Sequence, residues 1–460
     1  MSSTELSPVH SPKLSVPQRR SRWQAQRNAD HAGTFESLHN RNFRLFLTGL
    51  LVTGTGGWVQ RIAQDWLVLT LTDSPTAVGL TTACQFLPTL ALGLHGGLLA
   101  DRFPKRRVLQ VTQATMAAIA AALAVLSLTG HVAVWQVYLL ALGLGIATAI
   151  DNPVRQSFVT EIVGVSQLRN AISLVSSTFQ VGAMVGPVVG GVLMGTVGPA
   201  YAFALNAVSY AAPLVALALM RTSELHTPLS PGRAGQPGAG QPGAGVGIRD
   251  GLRYAASAPT VLWPTVIVGA FGCFTISLPV TLAAFAKNEF HSGPGGVGLL
   301  NAAMAAGALV GAVTTARRKR RLRLRTIAFA AWLLAVAQVL ASMAPTQAGL
   351  MALLVVVGAA NLAFLTCAQS LVQLTAPDHL RGRVVGLYML VFIGSGAIGG
   401  PVVGLLDEHL GARVGLLVSG ALPALATALV ARHLARRGSI RVGLTRVTVQ
   451  VMRPTLQPRL

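Results

Sequence analysis

Long apolar runs alternate with short polar breaks along this chain from residue 43 to residue 432. Runs of this length predict membrane-spanning helices, because a bilayer core needs about 20 apolar residues in helical form. Twelve are predicted, at 43–71, 75–99, 108–129, 134–153, 168–195, 201–220, 260–286, 295–316, 326–343, 349–374, 384–406 and 414–432. The longest break carries QPGAG twice in succession, at 236–240 and 241–245. Pro and Gly at that density cannot build a core, so 221–255 reads as a flexible linker. The expected organisation is a tail at 1–41, a six-helix bundle at 42–220, the linker, a second six-helix bundle at 256–433, and a tail at 434–460. The fifth span carries GAMVGPVVG at 182–190 and the eleventh carries GAIGGPVVG at 396–404. Their matching places predict an all-α integral membrane protein of twelve transmembrane helices, built as two six-helix pseudo-repeats.

Composition agrees with that reading. Of the 460 residues, 52% are apolar and 11% charged, with a mean hydropathy of +0.58; a soluble chain carries about a quarter charged residues. The net charge of +22 invites comparison with nucleic-acid binders. The cations, however, lie in tails and short loops. Only Arg61 falls deep within a span, and only Lys287 and Arg413 fall in connections on the far side from the termini. Cations are retained on the cytoplasmic face, so both termini are expected there, in the inner (plasma) membrane. The basic tails read as topology signals that also touch anionic lipid, with no nucleic-acid partner. The first 41 residues lack an apolar stretch, so the first span is expected to direct insertion.

The chemistry-bearing patterns exclude several classes. Cys84, Cys273 and Cys367 lie inside apolar runs without paired spacing, so neither metal site nor disulfide framework is expected. No Gly-Lys dipeptide occurs, hence no phosphate loop for ATP. The two GxGxxG matches, at 293–298 and 394–399, follow no strand and read as chance. No enzyme and no cofactor are expected.

Two motifs remain. After span two stand Gly97, Asp101, Arg102, Lys105, Arg106 and Arg107, an acid at the membrane edge followed by four cations. An ordinary positive loop explains the cations but not the acid. In span five, Gly182, Gly186, Pro187, Gly190 and Gly191 permit close helix contact and a bend.

The first motif resembles the loop 2–3 signature of the major facilitator superfamily, which latches the two halves on the cytoplasmic face. That resemblance makes Asp101 the latch acid, Lys105 its cationic counterpart and Asp151, with Arg155 one turn on, a third member of the relay. Pro104 departs from the usual Gly, and the run Arg317–Arg321 after span eight has no acid, so a second latch is degenerate. The span-five pattern resembles the exporter and antiporter motif of the superfamily. Further segments, from Asn40 to Phe46, Trp66 to Leu69, Asp151 to Phe158, Ala202 to Asn206 and Gly251 to Tyr254, resemble the transmembrane secretion effector branch of enterobactin exporters and macrolide efflux proteins.

Intramembrane ionisable groups are costly and mark function by default. Only Arg61 and Asp65 lie clearly inside a span, four residues apart on one helix face. A structural ion pair, a proton acceptor at Asp65 and a substrate contact all stay open. Many drug exporters of the superfamily carry an Arg in span four; none stands between Val134 and Ile150. The resemblance places the cavity among spans one, four, seven and ten. There Thr53, Gln60, Gln64, Phe271, Phe274, Asn361, Gln369 and Gln373 are the lining candidates, or simple bridges between helices. The expected function is a gradient-driven, proton-coupled exporter of a small amphipathic molecule (drug, siderophore or secondary metabolite), acting as a monomer. An importer or symporter, or a membrane receptor that does not transport, are the alternatives.

Overall fold

The computed structural model describes residues 36–226, 248–316, 324–377 and 380–436. Most of the predicted linker, the tails and the 317–323 cluster lie outside them. Among the described residues there is no strand. In chain order the long helices are α1 Arg41–Thr72, α2 Pro75–Arg102 and α3 Lys105–Leu128. They continue with α4 Val134–Gly164, α5 Ser166–Thr196, α6 Pro199–Leu219 and α7 Val261–Glu289. The last are α8 Gly293–Ala316, α9 Leu324–Ser342, α10 Gln347–Thr375, α11 Arg381–Leu410 and α12 Ala412–Arg436. Each predicted span falls on one of these helices. Among the described residues, nine helices are long and apolar enough to cross a membrane, and Thr326–Ser342 is a shorter apolar one.

Local chemistry explains the breaks. Asn40 caps α1, its side chain accepting the Phe43 N–H at 3.1 Å. Asp73 ends α1 in the left-handed conformation (φ 55°), with its N–H on Leu69 O at 3.0 Å. The break between α4 and α5 turns on Gly164, the last residue of α4, at φ 70° and ψ 174°, a conformation that a side chain would strain. The last turn of α7, Phe285–Glu289, widens to a π-helix.

Large apolar side chains such as Val111, Trp135, Val208, Trp332 and Leu429 stand outward. In water that surface would be a severe liability; in a bilayer it is the ordinary outside of the protein. The polar clasps sit at helix ends. Asn42 donates to Arg221 O and accepts the Arg221 N–H, both at 3.0 Å, tying the start of α1 to the end of α6.

The repeated glycine motifs do equivalent work in each repeat. On α5, Gly182, Gly186 and Gly190 face the backbone of α1 around Gly54, Thr55 and Val59, with Trp58 against Gly186. The next glycine crosses the seam: a Cβ on Gly191 would stand 2.8 Å from the Cα of Gly298 on α8. On α11, Gly396 and Gly399 face Ile276 and Cys273 of α7, while Gly400 crosses to Gly79 of α2 and Gly404 to Pro75. Thus α1 and α7 are equivalent, and the seam between repeats is built twice, as α5 on α8 and α2 on α11.

Candidate functional site

The polar stripe of α1 divides by partner. Thr53 spends its hydroxyl on Gly49 O of its own helix at 2.9 Å. Gln60 is buried; its Oε1 accepts the Asn206 side-chain N–H of α6 at 2.6 Å within its own repeat, while its Nε2 has no partner. Gln64 differs: fully buried, neither its amide oxygen nor its nitrogen has a partner. On α10, Asn361 is buried with its Oδ1 unpartnered, Gln369 is half-buried and Gln373 is exposed. Phe271 of α7 packs against Phe364 of α10 with ring centroids 5.0 Å apart, and Phe274 is buried nearby on α7.

Arg61 and Asp65 do not form the ion pair that their spacing allows; none joins them among the described residues. Arg61 instead reaches across the seam. Its Nη2 donates to Ile276 O of α7 at 3.4 Å, and its guanidinium lies 5.1 Å from the Phe86 ring centroid on α2 and 5.9 Å from that of Trp58. A guanidinium that can stack and hydrogen-bond at once finds neutral partners that compete with the carboxylate one turn away. Asp65 is 3% exposed, a buried acid seven residues before the end of α1.

Polar links between the repeats gather at the predicted outer end. Lys287, from the π turn of α7, pairs with Asp73 at 2.7 Å and donates to Leu69 O at 2.9 Å. Glu408, in the last turn of α11, accepts from the Ser74 hydroxyl at 2.5 Å and from the Thr76 N–H at 3.1 Å. The second contact uses the free N–H groups and positive dipole of a helix N-terminus, that of α2. Sequence reading missed Glu408 and its neighbour Asp407, because span eleven was expected to stop at 406; the helix continues to Leu410 and turns at Gly411 (φ 85°). The acidic pair in 407–409 looks like a loop, and only the following glycine marks the true end.

At the opposite, basic end the described polar contacts stay within one repeat or the other, most of them in the first. Asp151 is fully buried; its Oδ1 accepts from the Thr112 hydroxyl at 2.7 Å and the Gln113 amide at 2.9 Å, and its Oδ2 pairs with Arg155. Lys105 pairs with Glu161 at 2.5 Å. Arg106 donates to Ala218 O at 3.0 Å, satisfying a carbonyl at the end of α6. Gly97, Asp101 and Arg102 end α2, but their side chains lie outside the described ones. Lys105 and Arg106 therefore face partners that the sequence motif does not contain, Glu161 and the Ala218 carbonyl. No cluster of three or more metal-ligating side chains occurs among the described residues.

This arrangement of helices has known counterparts. Residues 32–441 match the transmembrane secretion effectors, most of the chain. The chain belongs to that family. The secretion effector is 27% identical to the multidrug efflux pump Tap of Mycolicibacterium fortuitum over 402 residues, 85% of this chain and 95% of that one. It is 27% identical to the enterobactin exporter EntS of Citrobacter koseri, over 78% of this chain and 80% of that one. Among solved structures, the nucleoside transporter NupG overlays with a TM-score of 0.64 at 14% identity, covering 87% of this chain and all of that one (100%). A bacterial homolog of the human lysosomal transporter Spinster, inward-facing and unoccupied, gives 0.64 at 16%, covering 86% and 96%. At such identities the likeness is of fold alone. The secretion effector is thus a multi-pass membrane transporter of the major facilitator type, acting on a small-molecule substrate.

Proposed function

We propose that this secretion effector exports a small amphipathic organic molecule, a drug, siderophore or secondary metabolite, in exchange for protons. It works as a monomer by alternating access, in the inner (plasma) membrane with both termini cytoplasmic, and it binds no nucleic acid. The observation that carries this reading is the polar closure at the predicted outer end. The described polar links between repeats (Lys287 to Asp73, Glu408 to Ser74 and Thr76, Arg61 to Ile276) come from the predicted outer half of the helices. A carrier shut at that end presents its centre to the basic side, where an exporter loads.

Three further features support it. Gln64 on α1 and Asn361 on α10 hold buried, unpartnered amide atoms, and Phe271 and Phe364 pair between α7 and α10, a mix of polar and aromatic groups that suits a ligand with both polar and apolar faces. Asp65 is a buried acid on the same helix as Gln64, which supports a role in proton exchange as the centre changes sides. The relatives Tap and EntS carry the names of exporters. Gly97, Asp101, Arg102, Lys105, Arg106, Asp151 and Arg155 would form the inner latch that closes when the outer end opens.

The test is a panel of amphipathic compounds, read as retention in cells lacking or overexpressing the protein, with and without a protonophore. Export predicts lower retention on overexpression, lost when the gradient collapses. Higher retention would make the protein an importer, and no effect on any compound would favour a receptor.

A further inference from the structure

The last turn of α11 holds two adjacent acids with opposite fates. Glu408 is turned to the other repeat and bonded there to Ser74 and Thr76. Asp407 is turned inward, 4% exposed, and neither carboxylate oxygen has a hydrogen-bond partner. Gly415 of α12 lies so close that any side chain there would overlap Asp407 Oδ1. The Thr281 hydroxyl, itself fully buried, faces the carboxyl from α7 as a neutral group.

Among the described residues no cation answers this acid. From α12 the titratable group at this end is Arg413, which is committed to Glu289 at 2.8 Å and to the Ala344 carbonyl at 2.9 Å. Lys287 is committed to Asp73 and Leu69 O. Leu278–Ala284 of α7 and the outer turns of α2 contribute none, and α11 itself adds only Glu408 and His409. A buried carboxylate with no counter-ion beside it is costly to keep charged, whereas the neutral acid needs only one or two weak contacts.

We propose that Asp407 is a proton-binding site of the outer closure, neutral while the outer end is shut and ionised when it opens. The carboxylate takes a proton from the outer solution as α2 and the α7–α11 corner close together, and returns it there on opening. One proton is bound per closure, and no other bond changes. Because the same turn supplies Glu408 to the seam, the neutral acid and the closed seam stabilise each other. Outer acid then favours the inward-facing state. The inference rests on alternating access as proposed above, but not on the direction of transport or the identity of the cargo.

The sign follows from linkage: the closed state holds one proton more, so its population falls as pH rises, by up to about tenfold per pH unit. The test uses full-length protein in lipid nanodiscs with Cys84, Cys273 and Cys367 replaced by Ala. Spin labels at His131→Cys and Met343→Cys report the distance across the outer end by pulsed electron resonance. The wild-type acid predicts a shift toward the longer distance between about pH 5 and about pH 9. Asp407→Asn, which mimics the neutral acid, predicts the short distance throughout, while Glu408→Gln lengthens the distance yet keeps the pH response. A wild-type distribution that ignores pH, or an Asp407→Asn variant that still responds like wild type, overturns the proposal. Should that variant fail to accumulate, a hydrophobic carbodiimide, which adds to protonated buried carboxyls, tests the unmutated protein. An adduct on the Asp407 peptide that forms faster at acid pH supports the site, and its absence overturns it. Either readout stands even if the retention screen finds no exported compound.

Discussion

Lys287 Nζ lies 2.7 Å from Asp73 Oδ1, so the π turn that ends α7 is fastened to the left-handed residue that ends α1. The two residues come from different repeats and both sit where a helix has just stopped, so their backbones offer little else to hold the corner. Asp73 is largely exposed and Lys287 about a quarter so, which keeps the pair weak: about 0.2–1 kcal/mol for pairs of this kind. A weak link suits a closure that must open in every cycle.

Replacing Lys287 by Met should therefore move the closed–open balance by no more than about fivefold toward open. The distance between spin labels at His131→Cys and Met343→Cys measures it. High salt should reduce the difference between variant and wild type, because exposed charges are screened.

Gly191 and Gly298 meet backbone to backbone across the seam. Gly191→Leu or Gly298→Leu should prevent closure of the outer end while leaving each repeat folded, because the clash lies between repeats and overpacking costs about 1–3 kcal/mol or more. Transport should fall to background with the protein still in the membrane, and labels across the outer end should report the long distance. Normal transport in either variant would show that the seam is not used.

Gln60 and Gln64 stand one turn apart on α1 yet should behave differently. Asn206→Leu leaves the Gln60 amide buried without its 2.6 Å donor and should cost about 1 kcal/mol of stability, lowering the thermal midpoint in detergent. Gln64→Leu removes two atoms that have no protein partner, so the midpoint should hold or rise while retention of some compounds changes.

Asp151 joins α3 and α4 through Thr112, Gln113 and Arg155. Asp151→Ala strands all three and should destabilise the first repeat by about 3–5 kcal/mol, as removal of one partner from a buried ion pair does. Asp101→Asn should by contrast spare insertion and thermal stability and slow the switch. A thermal scan with label distances separates the two, and equal loss of protein in both would contradict the latch role.

The helices were legible because lipid imposes the same demand on every span, and that demand leaves a mark in each run of apolar residues. The glycine motif was legible too, since GAMVGPVVG and GAIGGPVVG name their own equivalence. What hid was the choice of partner. Spacing put Arg61 beside Asp65, but the guanidinium turned to Ile276 and Phe86, contacts made by folding across a seam that no local pattern encodes. Likewise Lys105 found Glu161, which sits 56 residues away. Asp407 was lost for a different reason: its helix outlasts its apolar run, and only Gly411 marks the end.

The central claim, gradient-driven export, meets its most direct test in inside-out membrane vesicles loaded with an acid interior. The probe is the compound whose cellular retention falls most on overexpression. Proton-coupled export predicts that the vesicles accumulate it while the interior stays acid and release it when a protonophore is added. Accumulation that ignores the gradient, or movement of the compound out of the vesicles, would contradict the account.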